Sequence, residues 1–228
     1  MNLARTALAA ALLLPASVHA QGPQDWPNLA AYRESSAALA AQPDPLRIVF
    51  MGDSITEGWD RQHQGFFADP HRVNRGISGQ TTPQMLLRFR QDVIALHPRA
   101  VVILAGTNDI AGNTGPATDA EIEGNIASMA ELARANHIEV VLATLVPTVH
   151  YPWAPDLQPA PRIAAINAWL HSYAAASHVA LADYHTPMAT PDGALPPELG
   201  GDGVHPNGSG YAIMRSVIEP LLARIVGK

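Results

Sequence analysis

The chain has 228 residues, 47% of them hydrophobic and 15% charged, too apolar for a disordered tail and long enough to bury a core. Its formal net charge is -6 with no run of Lys or Arg, which argues against nucleic acid or an anionic membrane surface as the main partner. Cysteine is absent, so disulfide frameworks, thiol nucleophiles, zinc–thiolate sites and iron–sulfur clusters are all excluded.

In chain order, residues 1–20 read as a secretory signal peptide. Arg5 supplies the positive end, Ala7 to Leu14 an apolar run, Pro15 a break, and Val18-His19-Ala20 the small residues of a cleavage site. That run is far shorter than the ~20 residues a membrane span needs. The expected mature protein is therefore residues 21–228 as one domain, exported to the periplasm or beyond, with no membrane segment left. Nothing in the sequence sets an oligomeric state.

After a polar stretch from Gln21 to Pro27, strand-length apolar runs occur at Arg47–Met51, Val73–Arg75, Ala100–Leu104, Glu139–Leu145 and Val179–Asp183. IVFM, VVILA and VVLATL are nearly continuous, as in strands covered on both faces. Helical stripes alternate with them: Leu86, Phe89, Val93 and Leu96; then Ile122, Ile126, Met129 and Ala133; then Ile163, Ile166, Ala168 and Leu170. The last stripe runs from Tyr211 to Leu222, with Asn207 or Ser209 as its cap and Pro220 expected to kink or end it. The alternation predicts an α/β fold, a three-layer α/β/α sandwich with right-handed crossovers. Pro147 to Pro161 is too long for a routine connection and reads either as a functional loop or lid, or as a solvated insertion.

In such a sheet the working groups sit on loops at the carboxyl ends of the strands. Three strands here end in Gly52-Asp53-Ser54-Ile55, Asn74-Arg75-Gly76-Ile77-Ser78-Gly79 and Gly106-Thr107-Asn108-Asp109, and Asp202-Gly203-Val204-His205 precedes the last helix. Ser54 is a weak nucleophile until a base takes its proton, and His205 is the residue type for that task. Asp202, three residues earlier across a glycine turn, has the spacing to orient the imidazole. The N–H groups of Ser54 and Gly79 and the side-chain amide of Asn108 are candidate donors to an oxyanion. Gln80 stands where a phosphate-binding loop requires Lys.

On these blocks, which extend from residue 47 to 211, the chain resembles the GDSL/SGNH esterase–lipase family. MGDSITEGW and VNRGISGQTT look closest to its platelet-activating-factor acetylhydrolase-like and bacterial acetylesterase branch. The resemblance implies a flavodoxin-like five-stranded parallel sheet in the order 2-1-3-4-5. It further implies Ser54 as nucleophile, His205 as base, Asp202 as its orienter, and Ser54, Gly79 and Asn108 as the oxyanion hole.

The expected protein is an exported serine esterase that needs no metal or organic cofactor and cleaves a small ester, with acetyl on a carbohydrate as the first guess. The alternatives are a lysophospholipase or thioesterase of broad acyl tolerance, a non-catalytic glycan-binding module, and a flavin-binding protein of the same sheet order. Trp59 and Trp153 are candidate pocket walls. Asp53 is expected to anchor the turn carrying Ser54, Asp109 to cap a helix or brace Asn108, and Arg75 to be solvated or paired.

Overall fold

The computed structural model describes residues 25–62 and 65–227, and the leader expected at residues 1–20 lies outside them. Five strands, β1 (Ile48–Gly52), β2 (Arg72–Gly76), β3 (Ala100–Ile103), β4 (Glu139–Ala143) and β5 (Ala180–Ala182), form one sheet. All pairings are parallel and the order is 2-1-3-4-5. β1 is buried at every residue, because helices cover both faces of the sheet and leave no polar side for alternation to mark.

The helices are α1 (Arg33–Ala40), α2 (Ser54–Gln62), α3 (Thr82–Asp92), α4 (Thr107–Ile110), α5 (Asp119–Ala135), α6 (Ala160–Ser177), α7 (His185–Met188) and α8 (Gly208–Val226). Along β1 the side chains part in opposite directions. Val49 and Met51 pack with Phe89 of α3, Ile126 of α5 and Ile166 of α6. Ile48 and Phe50 pack with Ile55 and Trp59 of α2 and Met214 and Ile218 of α8. These two apolar clusters are the filling of the three-layer sandwich.

Local chemistry fixes the helix starts. Thr118 accepts a hydrogen bond from Glu121 N while the Glu121 carboxylate accepts one from Thr118 N, a capping box for α5. Asn207 Oδ1 accepts from the N–H groups of Ser209 and Gly210 and so caps α8.

Four details depart from the expectation or add to it. Pro220 sits inside α8 without ending it; the residue is exposed, so water can serve the carbonyl that loses its partner. Ala168 faces solvent, and its buried neighbour Asn167 bonds both the N–H and the C=O of Leu145. The α3 stripe breaks at Val93, where a single 3-10 turn over Ile94–Leu96 intervenes. The stretch after residue 24 is tied to the domain: Gln80, Gln84 and Gln91 donate to the carbonyls of Pro27, Trp26 and Leu29, and α1 follows.

Candidate active site

Ser54 is the first residue of α2, directly beyond the carboxyl end of β1. Asp53 holds the turn: its Oδ1 accepts from Ile55 N at 2.9 Å and its C=O from Glu57 N at 2.9 Å. The Ser54 N–H, at a helix start, has no carbonyl one turn behind it and is left for an incoming acceptor. Gly79 follows β2 on a tight turn with φ of +76°, a conformation that favours glycine.

His205 arrives from the far end of the chain. Its Nε2 lies 2.9 Å from Ser54 Oγ, and its Nδ1 lies 2.7 Å from Asp202 Oδ2. The other carboxylate oxygen, Asp202 Oδ1, accepts from the backbone N–H groups of His205 and Val204 at 2.7 and 2.9 Å. Burial alone would raise the Asp202 carboxyl, but these bonds and the imidazole outweigh it and hold the group below the ordinary carboxylate range. An ionised carboxylate only accepts, so Nδ1 carries the proton and Nε2 turns its lone pair toward the Ser54 hydroxyl.

The amide of Asn108, on α4 beyond β3, completes the cluster. Its Nδ2 donates to Gln80 O at 3.0 Å and to Asp53 Oδ2 at 3.3 Å. Asp53 is fully enclosed, and burial pushes its carboxyl up to about 6 against the pull of the Ile55 N–H and His205.

Ser54, Gly79, Asn108 and His205 line one open cleft of about 330 Å³ with Ser78, Asn113 and Trp153. A second hollow of about 290 Å³ shares Ser54 and His205 and is bounded by Arg61 and Tyr211. A larger groove of about 570 Å³, between Trp26 and α5, touches neither residue. Among the described residues, no group of three His, Asp or Glu side chains is placed to hold a metal ion.

One sequence expectation needs correction. Trp59 does not wall the cleft: it is 1% exposed, stacked on Phe66 and Tyr211 beneath α2, because its stripe position on that short helix faces the sheet. Of the two roles expected of Asp109, helix capping is the one it takes: it accepts from the N–H and Oγ of Thr82 and so anchors the start of α3. Trp153 does reach the cleft, from the Pro147 to Pro161 segment, which packs down through buried Tyr151 and a Tyr151 Oη–Thr107 Oγ1 bond of 2.9 Å. Arg75 is buried over the Tyr32 ring and donates to Ser36 Oγ.

The sequence marks Asn113 only faintly. It lies five residues past Asn108 on a turn with glycines at 112 and 115, and that spacing was the only available signal. Arg88, between Leu86 and Phe89 of the α3 stripe, likewise carries no motif that marks it. It is fully buried and donates to Gln80 Oε1, Asp92 Oδ2 and the carbonyls of Gly52 and Arg75. It therefore ties the ends of β1 and β2 to the residue that follows Gly79.

A hydroxyl, imidazole and carboxylate in one hydrogen-bonded line, at the carboxyl edge of a 2-1-3-4-5 sheet, are the parts of an ester hydrolase with the SGNH fold. The chain belongs to the GDSL-like lipase/acylhydrolase family, whose sequence profile matches residues 50–213. A GDSL-like lipase from Bacteroides thetaiotaomicron superposes with a TM-score of 0.84 at 47% identity, covering 87% of this chain and 98% of that one. The alpha2 subunit of rat platelet-activating factor acetylhydrolase IB is 26% identical over 191 residues, 81% of this chain and 78% of that protein. An uncharacterized Bacillus subtilis lipoprotein, YqeF, is 31% identical over 119 residues, 45% of this chain and about half (49%) of that relative's length. Among the described residues no helix is long and apolar enough to cross a membrane.

Proposed function

We propose that this ester hydrolase works through an acyl-enzyme on Ser54, cleaves short acyl groups, acetyl first among them, from carbohydrate or other small esters, and is exported by residues 1–20. The observation that carries the proposal is the unbroken line Ser54 Oγ–His205–Asp202, opening on a cleft lined by amide donors.

In the proposed reaction, Ser54 Oγ attacks the ester carbonyl as its proton passes to His205 Nε2. Asp202 stabilises the resulting imidazolium. The carbonyl oxygen becomes an oxyanion held by the N–H groups of Ser54 and Gly79 and by Asn108 Nδ2. The Asn108 hydrogen on the longer, 3.3 Å contact to Asp53 is the one the oxyanion takes. His205 then protonates the leaving alkoxide, which departs as the alcohol. Water attacks the acyl-enzyme with His205 again as base, releasing the carboxylic acid and restoring the serine.

A short acyl group suits the modest cleft, which Trp153 closes on one side. It also agrees with the acetylhydrolase activity in the name of the rat relative. Aryl esters from acetyl to palmitoyl, assayed beside acetylated sugars and lysophospholipids, test the reading. Acetyl esters should turn over fastest and Ser54→Ala should lose nearly all activity. Equal rates across the series, or a fully active Ser54→Ala, would overturn it.

A further inference from the structure

Asn113 touches two of the three segments that carry the proposed oxyanion donors, those of Gly79 and Asn108. Its Nδ2 donates to Gly79 O at 3.2 Å and to Asn108 Oδ1 at 2.8 Å, while its Oδ1 accepts from Trp153 Nε1 at 3.1 Å. Its backbone is held as well, since Asn113 N donates to Asn108 O at 3.0 Å and Gly115 N closes onto Gly112 O at 3.0 Å.

The chemistry of these groups fixes a direction along the chain. An indole N–H can only donate, so the end of Asn113 that meets Trp153 must be the oxygen. The amide end of Asn113 then faces two acceptors, Gly79 O and Asn108 Oδ1. With its oxygen engaged, Asn108 must turn its own NH2 toward Gln80 O, Asp53 Oδ2 and the cleft. A reversed Asn108 would set oxygen against the Asp53 carboxyl and leave the oxyanion facing a lone pair. Trp153 is half exposed beside Asn113 in the cleft lining, its ring 5.2 Å from Tyr151 and 6.1 Å from His205.

The geometry points to Asn113 as a positioning residue that couples the acyl-pocket wall at Trp153 to the oxyanion donors at Gly79 and Asn108. This inference rests on the acyl-enzyme reading and adds a source of acyl selectivity to it. An acyl chain short enough to leave Trp153 in place finds both donors aligned. A longer chain displaces the indole, breaks the Nε1–Oδ1 bond and frees Asn113, so the penalty falls on the transition state and appears in kcat more than in KM.

The test uses p-nitrophenyl esters from acetate to octanoate with wild type, Asn113→Ala, Trp153→Phe, the double variant and Ser54→Ala. Trp153→Phe keeps a ring and removes only the N–H at a half-exposed position, so it reports on the coupling even if Asn113→Ala folds poorly. On acetate, Asn113→Ala should lose about tenfold or more in kcat with KM nearly unchanged, below the ~10²–10³ of losing an oxyanion donor outright. Trp153→Phe should show a smaller loss of the same kind, and the double variant should be no worse than Asn113→Ala, since both cut one chain of bonds. The decline of kcat with acyl length should flatten in Asn113→Ala, which has no coupling left to break. Wild-type kcat in both single variants, multiplicative losses, or an unchanged length profile would overturn the assignment while leaving a dead Ser54→Ala and the acyl-enzyme intact. An inactive wild type, or an active Ser54→Ala, would remove the acyl-enzyme and this coupling together.

Discussion

Asn108 and Asp53 share a hydrogen bond at the floor of the cleft, yet they answer to different measurements. Replacing Asn108 by Ala removes one donor aimed at the proposed oxyanion, and kcat on an acetyl ester should fall by ~10²–10³ with little change in KM. A variant with normal kcat would show that the backbone donors suffice. Asp53 is read instead through stability. Burial lifts its carboxyl from the ordinary 3.8 to about 6, so between those values the folded protein holds a proton that the unfolded chain has released. The free energy of unfolding should therefore fall as pH rises through that window and level off above it. Asp53→Asn has no such group, so denaturant midpoints of the two proteins should converge or cross between about pH 4 and 6 and run parallel above. Parallel curves throughout would mean that Asp53 titrates as an ordinary carboxyl. At this scale the sequence displayed Ser54, Gly79, Asn108, Asp202 and His205, because each stands in a short, glycine-containing turn at a strand end or just before the last helix. It did not display Asn113 or Arg88, whose partners are mostly brought near by the fold and belong largely to other segments.

Among the elements, the start of α2 depends most closely on a neighbour. A Cβ on Gly76, the last residue of β2, would land on the backbone of Glu57 and lie 2.7 Å from Asp53 O. Backbone cannot step aside as a flexible side chain does, so Gly76→Ala must push α2 off the sheet, and Ser54 with it. The expected cost is about 1–3 kcal/mol of stability, with a loss of kcat on the same substrate. Thermal melting and steady-state kinetics check both parts, and a wild-type melting temperature would refute the close approach. The strands themselves were legible as apolar runs, with ends off by a residue or two where a loop residue such as Leu145 is as apolar and as buried as the strand before it. Trp59 misled because helix α2 is short. Over nine residues, a core aromatic and a pocket aromatic look alike until the sheet fixes which face is inward.

For the molecule as a whole, the segment from Trp26 to Tyr32 acts as a strap. Besides the three glutamine contacts, Tyr32 Oη donates to Gly76 O at 2.5 Å and its ring lies under the Arg75 guanidinium. The sequence does not show this strap, since glutamines bonding to backbone carbonyls leave no pattern in composition or periodicity. A protein beginning at Gln21 keeps every one of these contacts and should melt with the full chain. One beginning at Arg33 leaves buried amides without partners, and should melt lower by about 2–4 °C for each kcal/mol lost. Scanning calorimetry on the two truncations decides the matter, and equal melting temperatures would make the strap ornamental.

The sheet order leaves β2 and β5 as the outer strands. One margin is three residues long, and the other bears Arg72, clasped by Glu219 at 3.0 Å, together with Arg75. An incoming strand from a misfolded copy would find too little ladder on one side and would have to strip a cation from its partner on the other. A chain nearly half apolar thus carries its own protection against edge-on fibril growth.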